Sequence, residues 1–158
     1  MAFGLQTMYL WNILNFNIML QIKLVYREQE LGKAWKEDFK DCANVEVVEK
    51  DILDVECDAV VSPANSFGFM DGGLDLHLSE KLGWHIQEEL QARIRKSDEK
   101  ELLVGRSMTI KTGNEQIPFL ISAPTMRVPM SFNIATSINA YLAMKAILIA
   151  CKKNEAIQ

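Results

Sequence analysis

Apolar and polar positions along this chain fall into short stretches of two periods, one of strands and one of helices. Leu20-Gln21-Ile22-Lys23-Leu24-Val25-Tyr26 alternates and predicts a first strand. From Glu28 to Lys40, Leu31, Ala34, Trp35 and Phe39 recur at helical spacing and predict an amphipathic helix with that face inward. Val45–Val48 predicts a second strand, ending at Glu49-Lys50-Asp51-Ile52. Asp58 to Ser62 is nearly all apolar and predicts a third strand, central and parallel because both of its faces would be covered. A short helix follows over about Leu74–Leu82, broken at Gly83. A longer one runs over about Trp84–Lys96, with Trp84, Ile86, Leu90 and Ile94 as its inward stripe. Leu102–Val104, Ser107–Lys111 and Phe119–Ser122 read as strands, with a turn at Thr112-Gly113-Asn114. Two prolines make Ala123–Pro129 a loop. The last pattern, over about Asn133–Lys153, is apolar around most of its circumference and predicts a well-buried helix. Strands alternating with helices imply a three-layer α/β/α fold with a mixed, largely parallel sheet.

Composition narrows the class. A chain of 158 residues suits one domain large enough to bury a core without disulfides or structural metal. Apolar residues make up 49% and charged residues 24%, ordinary values for a globular protein. The net charge of −4 disfavours nucleic acid and anionic membrane as partners, although a local basic pocket fits within it. Cys42, Cys57 and Cys151 form no C-x-x-C pair, which predicts reduced thiols packed as small core residues in a reducing, cytoplasmic setting. With His77 and His85 as the two histidines and no ligand-spaced partner, a metal site is not expected. Residues 1–22 carry no charge, but Gln6, Asn12, Asn15, Asn17 and Gln21 interrupt the apolar run. Residues 1–19 therefore read as an N-terminal extension, with an uncleaved anchor as the alternative, and 20–158 as a single domain.

The candidate chemistry lies in Ser62-Pro63-Ala64-Asn65-Ser66-Phe67-Gly68-Phe69-Met70-Asp71-Gly72-Gly73-Leu74-Asp75. A glycine-bearing loop from a strand end into a helix start is where α/β folds hold anions, because the first-turn N–H groups point outward there. Asn65 has an amide able to hold a ribose hydroxyl or orient a water; an asparagine bonding its own turn is the other reading. Gly72 and Gly73 allow backbone N–H groups to approach a diphosphate. Asp71 reads as a helix cap. Asp75 reads either as first-turn helix chemistry or as a base activating water against a ribosyl carbon. Asp51 has the chemistry to accept from an adenine amine, or to be a turn residue. Arg127 reads as a phosphate contact or a solvated loop arginine. Phe67, Phe69 and Met70 read as pocket wall or core.

On these residues the chain resembles a macro domain, the ADP-ribose-binding α/β module, most clearly over 45–151. Val45–Ile52 is similar to the family's opening strand and Gly-Asp-Ile turn, Asp58–Ser66 to its Asn-Ala-Ala-Asn-Ser strand, and Gly72–Asp75 to its glycine loop and helix. The Ser-Pro-Ala-Asn-Ser-Phe-Gly variant resembles a microbial and phage branch. The resemblance implies that Asp51 contacts adenine, Asn65 the distal ribose, and Gly72 and Gly73 the diphosphate and ribose, with Ile52 and Leu74 as further ligand-binding positions. It implies Asn65 and Asp75 as catalytic if ADP-ribose is hydrolysed from a modified carboxylate. The implied partners are ADP-ribose or a related adenine nucleotide and an ADP-ribosylated protein, with no cofactor or metal. Macro domains continue past their late helix into a strand and a second, Gly-x-x-Thr-Gly loop. Here Ala156-Ile157-Gln158 stands where that strand begins, so the resemblance implies a C-terminally truncated form. A ligand-incompetent remnant or an assembly component is the alternative function.

Overall fold

A computed structural model of the chain describes residues 20–129, 137–154, 156 and 157. The expected extension at 1–19 and the first residues of the last predicted helix lie outside that range. The chain divides into two compact units, one running to Asp51 and the other spanning Ile52–Ile157.

The first unit is a strand–helix–strand motif: β1 (Ile22–Tyr26), α1 (Gln29–Asp38) and β2 (Val45–Glu49). The strands are parallel, with Ile22 opposite Val45 and Tyr26 opposite Glu49. The inward face of helix α1 is shifted from the one predicted, keeping Trp35 and Phe39 half-buried. Leu31 and Ala34 are exposed and Gly32 is its buried residue. The cause is Tyr26: a Cβ at Gly32 would stand 2.1 Å from the tyrosine ring, so the missing side chain lets the helix settle on that ring. The Tyr26 hydroxyl accepts from Lys36 Nζ at 2.9 Å and donates to Glu49 Oε2 at 3.2 Å. The bond to Tyr26, with the Glu49 charge nearby, raises the Lys36 pKa.

The second unit opens with a 3-10 turn at Ile52–Asp54, then β3 (Ala59–Ser62), α2 (Gly73–Leu82), α3 (His85–Lys96), β4 (Met108–Lys111), β5 (Phe119–Ser122) and α4 (Asn139–Lys153). Its sheet has the order β3-β5-β4, with β3 and β5 parallel and β4 antiparallel to β5. Within this sheet the middle place belongs to β5 rather than to β3: Leu120, Ile121 and Ser122 are all buried, whereas burial alternates along β3. Val60, Ile110 and Leu120 share a core with Leu78 and Leu82 of α2 and Ile86, Leu90 and Ile94 of α3. Gly83, at φ 103°, separates the two helices as its position in the sequence predicts.

Three expectations change. Leu102–Val104 forms no strand; the Leu102 N–H bonds to Ser66 O at 2.8 Å and its side chain is buried, so this run anchors a loop to the core. Cys42 is exposed, while Cys151 is buried and its thiol pKa pushed up by that burial; all three cysteines are free. Helix α4 buries one stripe, Ala143, Ala146, Ile147 and Cys151, and leaves Tyr141, Met144, Leu148 and Ile149 exposed. An apolar circumference is thus no guarantee of all-round burial.

Truncating Leu120 to Ala should cost about 2–5 kcal/mol through transfer and cavity terms. Leu148→Ala should stay within about 0.5 kcal/mol, as at an ordinary surface position. Urea denaturation of the two variants checks both, and a loss at Leu148 equal to that at Leu120 would mean that the outer face of α4 is covered.

Candidate functional site

The loop after β3 is built in two halves. In the first, the pairing of β3 with β5 continues beyond both strand ends. Ala123 N–H bonds Ser62 O at 3.0 Å, Thr125 N–H bonds Ala64 O at 3.0 Å, and Ser66 N–H bonds Arg127 O at 3.1 Å. A parallel bridge between Asn65 and Met126 lies in the same run. Backbone donors that a loop would leave to water are thereby satisfied.

Asn65 then organises the turn. It is buried, its Oδ1 accepts from the N–H groups of Phe67 at 3.1 Å and Phe69 at 3.2 Å, and its Nδ2 donates to Phe69 O at 2.8 Å. This is the self-bonding turn asparagine, extended to four residues. Gly68 lies inside that turn at φ 68°, and a Cβ there would come within 3.0 Å of Leu90 and Ile94. The loop can rest on α3 only because the side chain is absent. Met70 completes the attachment: its N–H bonds Gln87 Oε1 at 2.6 Å and its carbonyl accepts from Ser79 Oγ at 3.0 Å. Met70 is therefore core, whereas Phe69 is 44% exposed.

The second half is open. Asp71, Gly72 and Gly73 are exposed, and a Cβ at either glycine would meet nothing within 4 Å. Gly72, not Asp71, holds the N-cap position of α2, with no side-chain cap bond. The expected Asp71 cap is thus absent, and the first N–H groups of the helix are left without a capping side chain. Gly73 sits at φ 56°.

Asp75, in the first turn of α2, is 9% exposed, and its Oδ1 accepts a short hydrogen bond from the buried Ser62 hydroxyl. Burial pushes its carboxyl pKa up, with the Ser62 bond pulling in the opposite direction. Ser122, opposite Ser62 in the β3–β5 register, has a buried Oγ without a hydrogen-bond partner among the described residues. Asn65, Gly72, Gly73, Leu74 and Asp75 therefore belong to one loop and helix turn. Ile52 opens the 3-10 turn and packs at the edge of the core. Asp51 closes the other unit, where its carboxylate pairs with Arg27 at 3.5 Å. Arg127 pairs with Glu101 at 2.9 Å and lies over the Phe67 ring at 5.2 Å from its centre. No group of three or more His, Cys, Asp or Glu residues is placed to hold a metal among the described residues. The Ser62–Asp75 tie was not anticipated from the sequence; a serine closing an otherwise apolar strand was its one signal.

An α/β chain with a glycine turn between a parallel strand and an uncapped helix is an anion-holding architecture of known kind. The family model of the macro domain matches residues 61–156, and the chain belongs to the macro domain family. It is 30% identical over 86 residues to an uncharacterised protein of Aquifex aeolicus (strain VF5), a match covering 54% of this chain and 48% of that protein. The chain thus spans about half the length of that relative. In structure it is similar to the macrodomain of Mycobacterium tuberculosis DarG, with a TM-score of 0.56, 16% identity, and 67% of this chain and 66% of that one covered. The macrodomain of Thermus aquaticus DarG gives a TM-score of 0.52 at 17% identity, with 67% of each chain covered. These likenesses establish the α/β macro fold. Among the described residues no helix is long and apolar enough to cross a membrane.

The raised pKa of Asp75 predicts a pH dependence of stability. The folded chain holds this proton to higher pH than the unfolded chain, whose carboxyl titrates near 3.8. The contribution is fully present below that value and is lost as pH rises through the folded pKa. Asp75→Asn, which keeps an acceptor for Ser62, should flatten this decline relative to wild type in urea melts across the acid-to-neutral range. An unchanged slope would refute the assignment.

Proposed function

We propose that this chain binds ADP-ribose, free or attached to a protein, with the diphosphate against the Gly72–Gly73 turn. Family membership supports an ADP-ribose-related role, since macro domains bind or process that group. The observation that carries the reading to this loop is the open, uncapped N-terminus of α2, where space and N–H donors coincide. Each favourable charge interaction at such an end is worth about 0.3–1 kcal/mol.

Asp75 fits this reading better as a support than as a base. A charged carboxylate beside a diphosphate would repel it. Here burial favours the neutral form, and the group bonds to Ser62 at the strand end. Asn65, whose amide holds its own turn, likewise supports the loop. Both observations favour a binding module over a hydrolase. Release of ADP-ribose from an automodified protein, slowed by Asn65→Ala or Asp75→Ala, would reverse that preference. The adenine contact expected of Asp51 is a separate proposal, tested by weaker binding in Asp51→Ala.

Gly72→Val tests the loop directly. Gly72 has φ −147°, extended backbone that any residue adopts, and open space around its Cβ direction, so the variant should fold as well as wild type. A side chain there would block close approach of a phosphate, and calorimetry with ADP-ribose should show binding weakened by about tenfold or more. Undiminished binding in Gly72→Val, or no heat with the folded wild type, would overturn the reading.

A further inference from the structure

The outer limb of the same loop forms a second feature. Phe67 and Phe69 wall a cleft of about 240 Å³ whose other lining residues are Gln91, Ile94, Arg95 and Lys100. Ile94 is almost wholly buried, while Phe69 is 44% exposed, so the cleft has an apolar wall open to solvent. Its walls are fixed in advance. The Asn65 amide holds the backbone of both phenylalanines, and Gly68 between them rests on Leu90 and Ile94.

The polar part of the lining is cationic. The Arg95 guanidinium has no hydrogen-bond or ion-pair partner among the described residues. Lys100 is exposed, with its ammonium donating to Arg95 O at 3.0 Å. Two of the acids nearest in sequence are already engaged: Glu99 pairs with Arg106 at 3.0 Å and Glu101 with Arg127 at 2.9 Å. Arg127 in turn covers one face of Phe67. In a chain of net charge −4, Arg95 and Lys100 set two cations against one remaining nearby acid, the exposed Asp98, beside exposed aromatic surface.

The volume falls below the about 300–1,000 Å³ typical of small-molecule sites. It suits one or two side chains: an aliphatic stem against Phe69 and Ile94, and a carboxylate reaching Arg95 and Lys100. We propose that the cleft takes an acidic peptide segment, the stretch of the modified protein flanking the residue that carries ADP-ribose. The identity of that partner rests on the ADP-ribose reading above; the preference for an acidic peptide does not.

The test is fluorescence anisotropy of the full chain with a labelled peptide of Glu and Leu, and with its counterpart carrying Lys for each Glu. Calorimetry with ADP-ribose is run on the same preparations. The acidic peptide should bind and the basic one should not. Arg95→Glu combined with Lys100→Glu should weaken the acidic peptide by about tenfold or more and leave ADP-ribose affinity unchanged. The double variant replaces exposed side chains, and a thermal melt matching wild type confirms its fold. Peptide binding that stays within about twofold in the double variant overturns the proposal, since surface pairs without net effect behave that way. Equal binding of the basic peptide, tighter binding of a single-stranded oligonucleotide, or a parallel loss of ADP-ribose overturns it too. If the acidic peptide binds and ADP-ribose does not, the ADP-ribose reading falls and the cleft stands; the converse sinks the cleft alone.

Discussion

The amide of Asn65 is the constraint on which the rest of the site depends. One side chain bonds two N–H groups and one carbonyl of the turn that follows it, in a buried position where unmet polar groups would be costly. The turn so formed sets the directions of Phe67 and Phe69, brings Gly68 down onto α3, and delivers Met70 to the core. Everything beyond it, from the exposed glycines to the start of α2, is placed by that arrangement. An asparagine here is therefore structural in its bonding.

Asp75 shows the opposite economy. The start of a helix favours a carboxylate, and the Ser62 hydrogen bond favours its charge, yet burial disfavours that charge and outweighs the Ser62 bond in raising the pKa. The result is a buried polar tie between the first turn of the helix and the end of β3. An anion site gains from a first-turn carboxyl whose charge is disfavoured, because the about half-charge of a helix N-terminus is easily cancelled by a full charge in the first turn.

Much of this was legible in the sequence. The strand from Asp58 to Ser62, the break at Gly83 and the stripe of Ile86, Leu90 and Ile94 follow from local pattern alone, because period and backbone freedom are local properties. Trp84, expected in the same stripe, is instead exposed at the helix start. The placing of the glycine turn between strand and helix was legible for the same reason. What was not legible depended on partners distant in sequence. Gly32 becomes the contact of α1 through the Tyr26 ring; Leu102 is drawn to Ser66 instead of to a strand. Helix α4 has more apolar surface than its neighbours cover. The bonding of Ser62 to Asp75 joins two elements, and no spacing rule announces it.

That bond also has a mechanical meaning. Ser62 and Asp75 are thirteen residues apart in sequence, and their contact closes the intervening chain into a ring pinned at its neck. Inside the ring, Asn65 and Gly68 fix one arc against α3, and the glycines occupy the other. The entropy of closing that loop is lost on folding. For the ligand proposed above, the loop would present a neck already closed at Ser62 and Asp75 before binding.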